Sequence, residues 1–230
     1  MEENCDIMFR SVQSGAIRTL FEALKEVLVD VNITFDEEGM KIMALDPSRV
    51  AVIHLKLVSK SFIHYECNKP RKIGVNLSSL YKLIKLSGNN DVLTMFIESA
   101  SSSYEPKLHI IIENKNTNTK IHSKLKLIDI DEDILEIPDV DVDSVITMPS
   151  SYFQKICRDL SVISDTLNIK SEGNVFTMSA KGDIGETSVV LGGSQTETGV
   201  VFSKEAEKIE GNYDIKYLNL FTKSTSLCGQ

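Results

Sequence analysis

The four cysteines of this 230-residue chain, Cys5, Cys67, Cys157 and Cys228, lie far apart and form no CxxC pair. Two bridges could be drawn among them. The start of the chain, Met1-Glu2-Glu3-Asn4, lacks the basic and apolar regions of a signal peptide, so the expectation is reduced thiols inside a cell. No uninterrupted apolar run is long enough to span a bilayer. Ser14-Gly15, Gly182 and Gly192-Gly193-Ser194 are not followed by GK[ST], which excludes a phosphate loop. Asp129, Asp131, Glu132 and Asp133 could be imagined as magnesium ligands, but they lack the glycine turn of an EF-hand and alternate with apolar residues. His54, His64, His109 and His122 sit in strand-like runs without metal spacing, and read as satisfied sheet histidines. No nucleophile–base constellation stands out and no basic nuclear-import run is present. The chain reads as a non-enzymatic scaffold that needs no cofactor or metal.

What is present is a pattern that runs twice. Apolar residues make up 42% and charged residues 25%, as in a soluble globular protein with room for one large domain or two ordinary ones. Most of the sequence reads as strands. Val50–Val58 and Leu108–Ile112 are rich in β-branched residues, and Ile121–Ile128 alternates. Turns are expected at Asp36-Glu37-Glu38-Gly39, Ser87-Gly88-Asn89-Asn90 and Glu172-Gly173-Asn174. Helical periodicity marks four short places, Ala16–Leu28, Leu77–Leu86, Ser150–Ile163 and Lys216–Lys223. Glu38-Gly39-Met40 has its counterpart in Glu172-Gly173-Asn174, about 134 residues on, and Val75-Asn76-Leu77 has one in Ile215-Lys216-Tyr217, about 140 residues on. These offsets predict a duplicated domain. Between the copies, Asp129–Asp143 crowds carboxylates around Pro138, with apolar residues at Ile130, Ile134, Leu135, Ile137 and Val140. Mutual repulsion keeps such a segment extended, so the expected division is a domain over 1–128, a connector over 129–143 and a second domain over 144–230.

The net charge of −8 argues against nucleic acid, whose affinity comes from cations neutralising phosphates. Placement matters more than the sum. Arg18 and Lys25 are seven apart in the first helix, Lys82 and Lys85 three apart in the second, Lys155 and Arg158 three apart in the third, and Lys216 and Lys223 seven apart in the fourth. Either spacing returns a side chain to nearly the same helix face, opposite apolar residues such as Ile17, Leu20, Leu24 and Leu28, or Leu80, Leu83 and Ile84. Any single pair is what a solvated helix carries routinely. Four pairs on the four helices of an acidic chain point to a shared cationic surface, with the carboxylates elsewhere. It suits a polyanion held by its backbone.

Phe21-Glu22-Ala23-Leu24-Lys25, Gly74-Val75-Asn76-Leu77, Ile156-Cys157-Arg158-Asp159-Leu160-Ser161 and Tyr217-Leu218-Asn219-Leu220-Phe221-Thr222-Lys223 occur in order along the chain. So does Leu127-Ile128-Asp129-Ile130-Asp131 followed by Leu135-Glu136-Ile137-Pro138. Together these runs resemble the proliferating cell nuclear antigen family of DNA polymerase sliding clamps. The resemblance implies an α+β DNA-clamp fold of two pseudo-symmetric domains, each with antiparallel sheets and two short helices. Subunits would join head to tail in a ring, a homotrimer, around double-stranded DNA of any sequence, with no membrane partner. Arg18, Lys25, Lys82, Lys85, Lys155, Arg158, Lys216 and Lys223 would face the phosphates, while Thr19 stands where many relatives have another cation.

Ring closure would pair two sheet edges, one near Ile121, Ser123 and Leu125, the other near Ile184, Thr187, Val189 and Leu191. From the residues alone the favoured reading of both is ordinary strands whose edges are covered within the subunit. The connector would form a pocket with Leu45, Val50, Val52, Leu135, Ile137 and Pro138. By resemblance it takes peptide motifs of DNA polymerase, the clamp loader and repair proteins. The nucleus, or a cytoplasmic site of viral replication, would be the location. A subunit of a hetero-oligomeric or DNA-damage checkpoint clamp is the alternative. Ser171 stands where many eukaryotic members have a modifiable lysine, although Lys170 is adjacent. The second copy reaches Leu227-Cys228-Gly229-Gln230 where a further strand is due, so the second domain reads as truncated; completing the repeat gives roughly 260–270 residues.

Overall fold

In the computed structural model, residues 5–99, 105–131, 135, 141–192, 200–204 and 207–230 are described. Two units divide the chain, Met1–Glu136 and Ile137–Gln230. The first contains β1 (Cys5–Ser11), α1 (Ser14–Val27), β2 (Asp30–Asp36), β3 (Gly39–Leu45), β4 (Val52–Val58), β5 (His64–Cys67), β6 (Arg71–Asn76), α2 (Leu77–Ile84), β7 (Val92–Glu98), β8 (Lys107–Asn114) and β9 (Thr119–Lys126). Its sheets run β5-β1-β7-β8-β9 and β4-β3-β2-β6, antiparallel throughout. The second unit contains β10 (Val145–Thr147), α3 (Ser150–Leu160), β11 (Thr166–Glu172), β12 (Val175–Gly182), β13 (Gly185–Gly192), β14 (Val201–Lys204), β15 (Ile209–Asp214) and α4 (Ile215–Phe221). Its sheets run β10-β14 and β13-β12-β11-β15.

The second unit repeats the order of the first. The sequence β13-β12-β11-β15 corresponds to β4-β3-β2-β6, and the β10-β14 pair to β1-β5. Equivalent hydrogen bonds recur too. Leu77 N at the start of α2 donates to Val29 O (2.8 Å), and Ile215 N at the start of α4 donates to Asp165 O (2.9 Å). Each helix therefore begins where a strand ends, and is tied to the loop leaving the previous helix.

In α1 the buried stripe is Ile17, Phe21, Leu24 and Val27, continued by Leu28. Leu20, expected on that stripe, is half-buried, because Phe21 occupies the centre of the inner face. In α2 the inner residues are Leu77, Leu80, Tyr81 and Ile84, and Leu83 sits at the margin. Fully burying a side chain such as Leu80 or Ile84 contributes about 1.5–3 kcal/mol. The second unit builds its own core around Ile156, Leu160, Leu167, Phe176, Met178 and Ile215. All four cysteines are free, and burial pushes the Cys157 thiol up to about 11.

Cross-sheet ties close the first unit. The buried Asp6 carboxylate accepts from Arg71 Nε at 2.7 Å and Ser99 Oγ at 2.8 Å. Burial pushes its pKa up, but these donors outweigh burial and hold the carboxyl below the usual range. Tyr65 Oη lies 2.7 Å from both Asp36 O and Gly39 O. Beyond β6, Ile128 N donates to Gly74 O at 2.9 Å, and Asn32 Nδ2 donates to Ile130 O at 3.1 Å, so the first connector residues are laid on the β2–β6 edge. A Cβ on Gly74 would lie 2.3 Å from Ile128 O and 2.9 Å from Ile130 Cγ1. Gly74→Ala is expected to lower stability by about 1–3 kcal/mol, as overpacking does, and to raise amide exchange at Ile128. Urea unfolding with exchange mass spectrometry reads both; wild-type stability in the variant would contradict the assignment.

Candidate nucleic-acid interface

The helix starts are specified by side chains. Asn76 Oδ1 accepts from Ser79 N at 2.9 Å to cap α2, and Asp214 Oδ1 accepts from Lys216 N at 2.8 Å to cap α4. The basic residues then fall mostly toward helix ends. Lys25, Lys82 and Arg158 occupy the last turns of α1, α2 and α3, and Lys85 caps α2 at its C-terminus. A cation there is also favoured by the partial negative charge of the unsatisfied carbonyls.

Within the first unit, α1 packs on α2. Arg18 does not project freely. Its guanidinium donates to Ser87 O and Asn89 Oδ1 in the turn after α2. The Lys25 ammonium sits beside Glu26 and 5.0 Å from the centroid of the Tyr81 ring. The Tyr81 hydroxyl is pushed up, first by its hydrogen bond with Glu22 and then by burial. Glu22, Tyr81, Lys25 and Glu26 thus form a seam between the helices. Lys82 and Lys85 are the exposed cations of this pair.

In the second unit α3 packs on α4. Lys155 Nζ holds Asp159 at 2.6 Å, one turn along α3, which raises the lysine pKa. Arg158 and Lys216 are exposed. Lys223 lies outside α4, in a 3-10 turn over Thr222–Leu227. The expected helix to Lys223 stops at Phe221 because hydroxyls turn back onto the chain: Thr222 Oγ1 donates to Asn219 O at 3.0 Å and Ser224 Oγ to Phe221 O at 2.7 Å. The expected separation of charge by face also fails locally, since Glu22, Glu26 and Asp159 share these helices with the cations.

The two strands expected at subunit edges are outermost in their sheets. In β9, Ile121, Ser123 and Leu125 pair with Ile112, Ile110 and Leu108, and lie on the core-facing side with them. In β13, Thr187, Val189 and Leu191 pair with Ala180, Met178 and Phe176. Ile184 is not in the strand. It stands in the turn between β12 and β13, 77% exposed, because Gly182 and Gly185 close the hairpin.

Among the expected pocket residues, Leu45 ends β3, is half-buried and pairs with Val52 at the start of β4. Val50 and Val52 are exposed, and Leu135 is half-buried. Ile137 and Pro138 lie outside the described residues, as do Glu132 and Asp133. The loop from Leu45 to Val52 is organised by Asp46, which the residue pattern had not singled out. Its carboxylate accepts from Ser48 N and Oγ at 2.9 and 2.6 Å, and from Val50 N and Ala51 N at 2.7 Å. The Asp46-Pro47 pair was the available signal, since aspartate before proline starts turns. Among the described residues no group of three or more His, Cys, Asp or Glu could hold a metal ion.

The family model for the N-terminal domain of proliferating cell nuclear antigen matches residues 8–135, and that for the C-terminal domain matches residues 136–230. The chain belongs to the proliferating cell nuclear antigen family. The two matches meet within a residue of the division between the structural units. A protein of Paramecium bursaria Chlorella virus 1 named probable DNA polymerase sliding clamp 1 is 32% identical over 231 residues, covering 98% of this chain and 86% of that protein. Proliferating cell nuclear antigen 1 of Plasmodium falciparum, in isolates K1 and 3D7, is 36% identical over 220 residues, covering 93% of this chain and 78% of the relative. Nothing in these names points to a checkpoint clamp. Two antiparallel units with a few short helices are the DNA-clamp fold of this family.

The bonds of Arg18 separate it from Lys82 in a measurable way. Arg18→Ala is expected to cost about 1 kcal/mol or more of folding stability through its lost charged hydrogen bonds, whereas Lys82→Ala should stay within about 0.5 kcal/mol. Thermal melts of the two variants test this; equal melting temperatures would refute the distinction.

Proposed function

We propose that this sliding clamp closes head to tail into a trimeric ring around duplex DNA, and there tethers a DNA polymerase and other replication and repair proteins. The observation that carries the reading is the repeated unit itself: matching strand orders, matching helix starts, and a helix pair with exposed cations in each copy. Three subunits of two like units build a ring of six near-equivalent segments, and a heterologous contact that repeats by rotation closes without leaving an edge. The edges that meet are β9 and β13.

The chemistry follows from what sliding demands. A ring prevents escape by topology, so individual phosphate contacts must stay weak and exchangeable. Lys82, Lys85, Arg158 and Lys216 are exposed side chains reaching into solvent, and Lys155 exchanges its Asp159 partner for a phosphate at small cost. Cations reaching across water hold the backbone without reading bases. Arg18 and Lys25 set the α1–α2 seam that presents Lys82 and Lys85. The acidic balance elsewhere on the chain discourages DNA from wrapping the outside.

Partner peptides dock on the apolar residues expected from the resemblance, of which Leu45, Val50, Val52 and Leu135 are among the described residues. Exposed valines, in a chain that also carries a carboxylate-rich segment, suit a peptide with apolar anchors and basic flanks. The clamp loader engages the same surface. The protein works as a scaffold at a replication site, nuclear or viral, and carries out no reaction of its own.

Reversing Lys82, Arg158 and Lys216 to Glu together should reduce processive primer extension by at least about tenfold while circular dichroism stays unchanged. Wild-type processivity would remove the DNA reading. Leu135→Asp should weaken binding of an apolar, basic-flanked peptide by about tenfold or more, equivalent to a loss of some 1.4 kcal/mol. Calorimetry showing intact affinity would displace the peptide site.

A further inference from the structure

One side-chain cluster plays no part in holding DNA or a peptide. On the side of the five-stranded sheet opposite Leu108, Ile110 and Ile112, His109 on β8 and His122 on β9 meet diagonally across the strand pair. His109 Nδ1 and His122 Nε2 are 3.1 Å apart. His109 is 3% exposed beneath Phe96, whose ring centroid is 4.4 Å away, and Phe96 is itself buried with Cys5 and Met8. His122 is exposed on the outermost strand. We infer that this imidazole pair is an acid-sensitive clasp on β9, so that copies of the chain joined along that edge separate as the pair takes up protons. The inference rests on the ring reading for its effect on assembly, but the clasp belongs to a single chain.

The logic lies in the number of protons that fit between the two nitrogens. When both rings are neutral, one N–H donates to the bare nitrogen of the other. A single added proton leaves that contact standing, because His109 Nδ1 still accepts from the neighbouring ring. A second proton must go on Nδ1. Two N–H groups then meet head-on at hydrogen-bond distance, and the contact has to open. His109 is fixed by burial under Phe96, so the moving partner is His122 and with it the edge strand.

The surrounding charges decide how readily this happens. Glu98 on β7 faces the other nitrogen of His109, with Oε1 at 3.4 Å, and favours its protonation. Lys107 on β8 and Lys124 on β9 oppose it, as does His122 once charged. Lys120, two positions from His122, is paired with Glu113. Cys5 on β1 pairs in register with Glu98, and its thiol is pushed up by burial and by Glu98 and Glu66. Burial is the largest influence on His109 and holds its pKa below the ordinary imidazole value. Opening frees Nδ1 to take the proton that the 3.1 Å contact excludes, so below about pH 6.5 the opened strand binds more protons than the clasped one and acid favours opening.

The test uses the full chain in sedimentation velocity from about pH 7.5 to about pH 5.0, comparing wild type with His122→Gln and His109→Gln. Glutamine can donate and accept but cannot gain charge. Self-association of wild type should weaken by about tenfold or more over this range, the effect of one proton coupled across one pH unit. His122→Gln should vary by less than about threefold on the same scale. An equal loss in both variants would overturn the inference and place the dependence on other groups, such as Glu186 of β13. If wild type does not self-associate at about pH 7.5, the ring reading fails separately. Amide exchange then judges the clasp within one chain. After correction for intrinsic rates, protection of β8 and β9 should fall with acid in wild type and hold in His122→Gln; a parallel fall in both would refute the clasp.

Discussion

The two backbone bonds from Leu77 N to Val29 O and from Ile215 N to Asp165 O are the constraint on which the rest of each unit depends. Each joins the start of a short helix to the loop leaving the previous one. Neither α2 nor α4 has the length to persist alone in water. The Asx caps at Asn76 and Asp214 and this shared bond supply the nucleus that propensity does not. Once the start is fixed, the 3.6-residue period dictates which residues meet the core and which meet solvent. Lys82 is exposed because Leu80, Tyr81 and Ile84 are not.

Much of this was legible in the residues. The helix positions followed from apolar periodicity, and the Asp36–Gly39 and Glu172–Asn174 turns from their composition. The duplicated order followed from matched pairs of segments. These are local signals, or repetitions of one. What was not legible depends on partners distant in sequence. Arg18 looks like any solvated cation until the turn at Ser87 and Asn89 is folded against it. Ile184 counts as part of a strand until Gly182 and Gly185 close the hairpin around it. His109 and His122 each read as sheet residues, and only the register of β8 on β9 brings their nitrogens together. Lys223 was misplaced for a local reason, the serine and threonine hydroxyls that compete for helix carbonyls after Phe221.

The first unit also separates positioning from presentation. Arg18, bonded to Ser87 O and Asn89 Oδ1, and the Glu22–Tyr81–Lys25–Glu26 seam hold two helices in place. The exposed cations sit a turn away on the surface this seam orients. On β9 the same division appears across the strand. Ile121, Ser123 and Leu125 continue the core side, while Lys120, His122 and Lys124 populate the other. A one-residue slip in the pairing of β9 would exchange these two sets, so register and surface chemistry are fixed together.

The placement of Lys82, Lys85 and Arg158 at helix ends gives each of them two electrostatic tasks. In the proposed DNA-holding role, the ammonium or guanidinium that would face a polyanion also neutralises the carbonyl end of its own helix. Both interactions are screened over the same distance, about 10 Å at 0.1 M salt. Ionic strength therefore acts on the scaffold and on the ligand at once. Raising it loosens the polyanion and frays the helix ends together, so salt sensitivity of DNA retention contains a contribution from the protein's own backbone.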